Sequence, residues 1–176
     1  YSLTYSNLYP TSITKNNQTY NLAWSGNRLI NVNNNISYSY DSNGLRISKV
    51  VNGLITNYIY DGNKLIYLKK QESINNYIEF NFIYNIDGQL SILEYNGKEY
   101  YYIHDALGNI TSLTDSNGNK IITYTYDAFG KIISVSPSFI MGDIQTVINN
   151  NPFRYKDYYF DNETSLYYLL SRYYDP

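Results

Sequence analysis

Residues 40–46 read YDSNGLR, and near-copies of this phrase return as YDGNKL at 60–65, HDALGNI at 104–110 and YDAFGKI at 126–132. Aligned on the first aromatic, the copies begin at Trp24, Tyr40, Tyr60, Tyr84, His104 and Tyr126, at spacings of 16, 20, 24, 20 and 22 residues. A loose period near 20 residues marks a repeat made of one supersecondary unit. Each part of the phrase has a physical reason. The aromatic ends a strand and packs on its neighbour. The aspartate accepts hydrogen bonds from backbone N–H groups of the turn. The glycine closes the turn through a conformation other residues avoid, and the aliphatic residue starts the next strand.

Between copies lie Asn52-Gly53, Asn96-Gly97 and Asn117-Gly118, the strongest short hairpin signal, with Asn33-Asn34 and Asn75-Asn76 as weaker versions. The segments between turns alternate with period 2. Ile122, Tyr124 and Tyr126 oppose Thr123 and Thr125; Leu45 and Ile47 oppose Arg46 and Ser48; Leu54, Thr56, Tyr58 and Tyr60 share one face. This is not the 3.6-residue stripe of a helix. The fold class is therefore all-β, an antiparallel array of β-hairpin repeats. The residues expected to build the repeat turns are Tyr40, Asp41, Gly44, Tyr60, Asp61, Asp87, Gly88, Asp105, Gly108, Tyr126, Asp127 and Gly130. Asn63 stands where other copies have glycine, in a turn one residue shorter.

Composition agrees. Of 176 residues, 24 are Tyr and 25 are Asn, with one Trp, one Met, one His and no Cys. Aromatic and β-branched residues favour strands. The net charge is −2, which provides no basic field for nucleic acid. No apolar run reaches the roughly 20 residues of a membrane span, so membrane insertion is not expected. Disulfides and Cys-based zinc sites are excluded. The sequence starts with Tyr1 and shows no leader, so it is expected to be a fragment or mature piece.

Residues 136–150 break the pattern and read as a short helix capped by Asp143 or as an irregular loop. Residues 151–176, NPFRYKDYYFDNETSLYYLLSRYYDP, read as two strands around a DNETS turn. The expected organisation is a hairpin array over 1–135, the break at 136–150 and a terminal cap at 151–176.

The recurrent Tyr-Asp phrase resembles the YD repeat of the Rhs family. The C-terminal stretch resembles more specifically the Rhs-repeat-associated core of Gram-positive members. That likeness is carried by Asn151, Pro152, Phe153, Arg154, Tyr155, Tyr158, Tyr159, Asp161, Glu163, Thr164, Leu166, Tyr167, Tyr168, Arg172, Tyr173, Tyr174, Asp175 and Pro176. Asp157 and Ser165 depart from it, since the pattern has glycine at both. The family includes bacterial polymorphic toxins, wall-associated polypeptides, insecticidal toxin-complex components and animal teneurins. The resemblance implies a hairpin ribbon coiled into a spiral shell that encloses or presents a C-terminal effector, with the associated core as its cap. The region that carries the family's cleavage aspartates would follow Pro176, so self-cleavage is not assigned.

Signals for chemistry are few. His104 stands where other copies carry Tyr or Trp and reads as a structural substitute. The repeat aspartates read as turn caps. Asp115-Ser116-Asn117-Gly118-Asn119 hints at a calcium loop but has Tyr126 at the twelfth position, where a glutamate belongs. Arg154 and Arg172 read as structural partners of carboxylates or tyrosines in the cap. Tyr100, Tyr101 and Tyr102 must place at least one ring on each face of a sheet; burial in a ladder of cross-strand aromatics is the first reading and a glycan-stacking surface the alternative. The first functional expectation is a non-catalytic wall segment of a longer Rhs-type chain, secreted or on the cell surface, without cofactor or metal. The second is a carbohydrate-binding module; an enzyme is the third. A chain of this length could form an open sheet, pair edge to edge with a second copy, or be cut from a longer protein, and the last is expected.

Overall fold

The computed structural model describes residues 1–6, 8–15, 17–137 and 141–176. By packing, the chain divides into two compact units. One is Tyr1–Ile78 with Leu170–Arg172; the other is Glu79–Leu169 with Tyr173–Pro176. The division falls between Ile78 and Glu79, inside a strand of the array. Residues 138–140, within the expected break in the pattern, lie outside the described residues.

The repeats are antiparallel strands that follow one another in chain order in a sheet of fourteen. They are β1 (Ser2–Ser6), β2 (Tyr9–Lys15), β3 (Gln18–Ser25), β4 (Arg28–Val32), β5 (Ile36–Tyr40), β6 (Arg46–Val51), β7 (Leu54–Asp61) and β8 (Lys64–Ser73), then β9 (Asn76–Tyr84), β10 (Leu90–Tyr95), β11 (Lys98–His104), β12 (Ile110–Thr114), β13 (Lys120–Tyr126) and β14 (Ile132–Pro137). Helix α1 (Gly142–Asn150) follows, then β15 (Tyr159–Asp161), β16 (Leu166–Tyr168) and β17 (Tyr173–Tyr174), which form a small second sheet.

The Asp-led turns share one geometry. Asp41, Asp105, Asp115 and Asp127 each accept the backbone N–H four residues on, at 2.8, 2.9, 2.9 and 3.0 Å. The last three also accept the N–H two residues on. Glycines 44, 108, 118 and 130 close these turns with φ of 87°, 78°, 82° and 92°. In the copy at 84–90 the acceptor is Asn85, whose Oδ1 takes the Gln89 N–H at 2.9 Å; Asp87 is one position short of the closing Gly88. Asn117-Gly118 is likewise not a two-residue hairpin turn, because Asp115 leads a longer one.

The shorter connections do follow the Asn-Gly rule. Asn52-Gly53 and Asn96-Gly97 have positive φ at both residues, as do Asn33 and Asn34. At 61–64 the left-handed residue is Gly62, with φ 56°, and not Asn63. Glycine at the first central position is the requirement of the other two-residue hairpin turn.

Each phrase aromatic also sits at a β-bulge. Tyr40 faces Arg46 while Ser39 faces Ser48, which leaves Ile47 unpaired; Tyr60 faces Leu65 while Ile59 faces Tyr67, which leaves Ile66 unpaired. The same slip occurs at Trp24, Tyr84, His104 and Tyr126. One extra residue reverses the alternation after it. Contrary to simple period 2, Arg46 is therefore fully buried and Ile47 exposed. Ile30, Ile66 and Ile133 are exposed for the same reason.

In the first unit, Leu29, Val32, Ile36, Tyr38, Tyr58, Leu65 and Leu68 are buried. The Arg46 guanidinium lies between the Tyr38 and Tyr58 rings, 5.2 and 5.1 Å from their centres, which offsets part of its desolvation. Aromatics also stitch one hairpin to the one before. Tyr40 donates to the Leu29 carbonyl at 2.6 Å, Tyr126 to that of Ile110 at 2.8 Å, and the Trp24 indole to that of Pro10 at 2.7 Å.

Asp127→Ala removes two turn bonds at a cost of about 1–2 kcal/mol, and should lower Tm by roughly 2–8 °C. Asp127→Asn should stay within about 0.5 kcal/mol of the parent, because Asn85 already performs the same job. Thermal unfolding of both variants checks this. Hydrogen bonds from Asn109 and Asn119 hold the Asp105 and Asp115 carboxyls below their usual range. Their stabilising effect is complete above the ordinary carboxylate value of about 3.9 and is lost as pH falls through the lowered folded values. The Asn109 and Asn119 amides should therefore keep their exchange protection at pH values where exposed carboxylates are already protonated.

Candidate functional site: a C-terminal strap across the repeat turns

Apart from Arg172, the residues described next lie within the second unit. Helix α1 leaves the array carrying Asp143 in its first turn. Asp143 does not cap the helix; Met141 occupies that position without a side-chain bond. The Asp143 carboxylate instead accepts from Lys98 at 2.7 Å and Asn96 at 3.1 Å, which ties the helix start to the β10–β11 turn and holds the carboxyl below its usual range. Val147 and Ile148 supply the buried face of the helix.

Asn151 ends the helix and is fully buried. Its Oδ1 accepts the Tyr102 hydroxyl at 2.6 Å and the Phe153 N–H at 3.3 Å. Its Nδ2 donates to the Tyr124 hydroxyl at 3.2 Å and the Phe153 carbonyl at 3.3 Å. An amide offers two donors and two acceptor sites, and all are used. Burial raises both tyrosines above the ordinary phenol range, so both hydroxyls stay neutral, Tyr102 donating to Asn151 and Tyr124 accepting from it.

The chain then crosses the sheet. The Phe153 ring meets Phe82 edge-on at 4.9 Å and Tyr159 at 6.2 Å. Arg154 is buried with its guanidinium 4.4 Å from the centre of the Tyr124 ring, and it donates to the Phe153 carbonyl at 2.9 Å. Its own carbonyl accepts the Ile110 N–H at 3.4 Å. The Pro152 carbonyl accepts from Phe160, which folds the segment back on itself.

Past Arg154 the segment runs over the turn tips as a strap. Lys156 donates to the Leu107 carbonyl. Tyr167 donates to the Gly130 carbonyl at 2.9 Å and Tyr174 to that of Phe129 at 2.6 Å. The Tyr155 ring lies on Gly130 so closely that a Cβ there would meet it at 2.5 Å. Gly130 thus serves its turn and leaves space for the strap. The His104 Nε2 lies 2.7 Å from Asp157 Oδ1. Asp157 and Ser165, the two departures from glycine, keep the left-handed conformation, with φ of 56° and 54°.

Of the other residues expected in the cap, Asp161 is buried and its carbonyl closes the turn to Thr164 and Ser165. Tyr159 and Tyr168 are buried and lie opposite each other in β15 and β16. Arg172 is exposed, whereas Asp175 and Pro176 are half-buried. Of the three tyrosines weighed as a stacking surface, two face the interior and Tyr101 is half-buried. Tyr100 and Tyr102 are 2% and 6% exposed, and the Tyr101 hydroxyl bonds Glu99 at 2.5 Å. The roles of Tyr102, Tyr124 and Gly130 in seating the strap carry no mark in the sequence beyond their place in the repeat.

Gly118→Ala and Gly130→Ala separate turn strain from strap packing. Both glycines have positive φ, but a Cβ at Gly118 meets nothing within 4 Å. Gly118→Ala should cost about 1–2 kcal/mol. Gly130→Ala should cost about 1–3 kcal/mol more, and it alone should expose the tyrosines of residues 155–174, as read by denaturant unfolding and near-UV circular dichroism.

The RHS Repeat family matches residues 104–137, which include the turns that hold the strap. The tRNA3(Ser)-specific nuclease WapA of Bacillus spizizenii is 39% identical over 140 residues, and the tRNA nuclease WapA of Bacillus subtilis is 40% identical over the same length. Each match covers 80% of this chain, and the chain spans 6% of either relative's length. The Tc holotoxin pore of Photorhabdus luminescens superposes with a TM-score of 0.64 at 19% identity, covering 88% of this chain and 8% of that one. The TcdB2–TccC3 structure without its hypervariable C-terminal region gives 0.66 at 19%, covering 89% and 8%. The structural likenesses concern the fold. Taken with the repeated Asp-led turns and the C-terminal signature, the matches show that the chain belongs to the Rhs, or YD-repeat, family.

Proposed function

We propose that the chain is a non-catalytic wall segment of a longer Rhs-type protein, and that its strap fastens the end of the repeat array that encloses or presents a C-terminal effector. The observation that carries this reading is the strap itself. Residues 151–174 place an amide, a guanidinium and a series of tyrosines on the array, with three bonds to backbone carbonyls of repeat turns. Such a segment fixes where the array stops and where the chain beyond it emerges.

The relatives support the same division of labour. They are named as tRNA nucleases, and the stretch that matches this chain is a small part of each. Nuclease chemistry in a protein of this kind would belong to another part of it. Among the described residues, no group of three or more His, Cys, Asp or Glu could hold a metal. No described helix is long and apolar enough to cross a membrane. The proposed setting is secreted or at the bacterial cell surface.

Limited proteolysis of the full-length protein tests the reading, with Asn151→Ala used to loosen the strap. Losing Asn151 strands two buried hydroxyls at about 1–3 kcal/mol each. The region beyond residue 176 should resist protease in the parent and be cut at least about tenfold faster in the variant. A region cut equally fast in both proteins would overturn the proposal.

A further inference from the structure

Most of the strap's contacts could be met by other repeats. Lys156, Tyr167 and Tyr174 bond backbone carbonyls at Leu107, Gly130 and Phe129, groups that the longer, glycine-closed turns share. Tyr155 rests on the closing glycine of its turn, and Gly88, Gly108 and Gly118 close others with the same sign of φ; Gly44 does too, but the Arg28 side chain already lies over it. The tyrosine pair that Asn151 joins has a parallel in sequence position only: Tyr102 and Tyr124 stand two residues before their phrase aromatics, as do Tyr38 and Tyr58, but the Arg46 guanidinium already lies between the latter two rings. A strap held by the carbonyl and glycine contacts alone has several comparable seats.

One contact is different in kind. His104 is the single histidine in the sequence, at a position that holds Trp24, Tyr40, Tyr60, Tyr84 or Tyr126 in the other copies. Its side chain is 10% exposed and lies 2.7 Å from Asp157, whose side chain is 27% exposed. Asp157 adopts φ 56°, a conformation that costs a residue with a Cβ and suits glycine. The adjacent Lys156 is left-handed too, with φ 55°. An aspartate in this place gives up backbone ease and gains a carboxylate aimed at the one imidazole in the array.

From this juxtaposition we infer that the His104–Asp157 pair sets the seat of the strap: it selects the hairpin of β11 and β12 from turns that present the same backbone carbonyls and closing glycines. A tyrosine at 104 would present a longer side chain ending in a hydroxyl, and a glycine at 157 would carry nothing to recognise. Specificity here comes from a contact that wrong seats cannot make.

Hydrogen exchange on the whole chain tests the inference, because different amides report the seat and the strap's own fold. The Ile110 N–H bonds the Arg154 carbonyl and reads the seat; the Ser165 N–H bonds the Asp161 carbonyl and reads the strap alone. His104→Tyr and Asp157→Gly should each speed Ile110 exchange by about tenfold, and the double variant should be no faster than either single, as expected for coupled neighbours. Ser165 exchange should not change. If Asp157→Gly also moves Ser165, Asp157→Asn is read instead, since asparagine tolerates the left-handed conformation; it should speed Ile110 exchange about threefold while leaving Ser165 unchanged. Unchanged Ile110 exchange in His104→Tyr, slower exchange in Asp157→Gly, or a double variant equal to the product of the singles would each overturn the inference.

Discussion

A carboxylate that reaches forward into its own turn is the constraint on which the repeats depend. A hairpin array must hold its register, because a slip of one residue moves every side chain of a strand to the other face. The turns prevent this. With the Asp127 oxygen accepting the N–H groups of Phe129 and Lys131, and Gly130 closing the loop, the number of residues between β13 and β14 cannot vary. The bulge at the preceding aromatic then sets which residues of the next strand face inward. Asn85 shows that the requirement is for an acceptor at this position rather than for a charge.

The bulge explains a burial pattern that would otherwise look inverted. Arginine is buried at 46 while isoleucine is exposed at 47, because the inserted residue takes the outward position and its predecessor pairs inward with Tyr40. The buried guanidinium is then accommodated by two tyrosine rings. Arg154 uses the same arrangement on Tyr124 in the strap. A tyrosine-rich sheet can thus hold cations inside because each ring offers a polarizable face as well as apolar area.

Much of this was legible in the sequence. The turn phrase fixes strand number and order, since Asp and Gly at fixed offsets have local consequences. What was not legible is what depends on counting across strands. The bulges shift alternation by one residue without any marker residue, so Ile47 reads as core and lies outside. Asp87 reads as the turn aspartate because it precedes Gly88, while the geometry selects Asn85, three residues before that glycine. In the cap, the motif residues 151–174 were visible as a pattern, but their partners were not. Nothing local to Tyr102 or Tyr124 announces that their hydroxyls will meet one buried amide.

The chemistry of the strap follows from the problem that the repeats create. Near-identical hairpins present near-identical carbonyls and glycines, so an apolar strap would bind wherever it first landed. Burying Asn151, Arg154 and the tyrosine hydroxyls costs desolvation that hydrophobic replacements would avoid. Each of these groups is recovered only where its partners stand at the right positions: Tyr102 and Tyr124 for the amide, and the ring of Tyr124 for the guanidinium. A displaced strap would leave several of them buried without partners, at about 1–3 kcal/mol for each. The polar interior of the seat and the His104–Asp157 pair therefore act together, less on how tightly the strap holds than on where it holds.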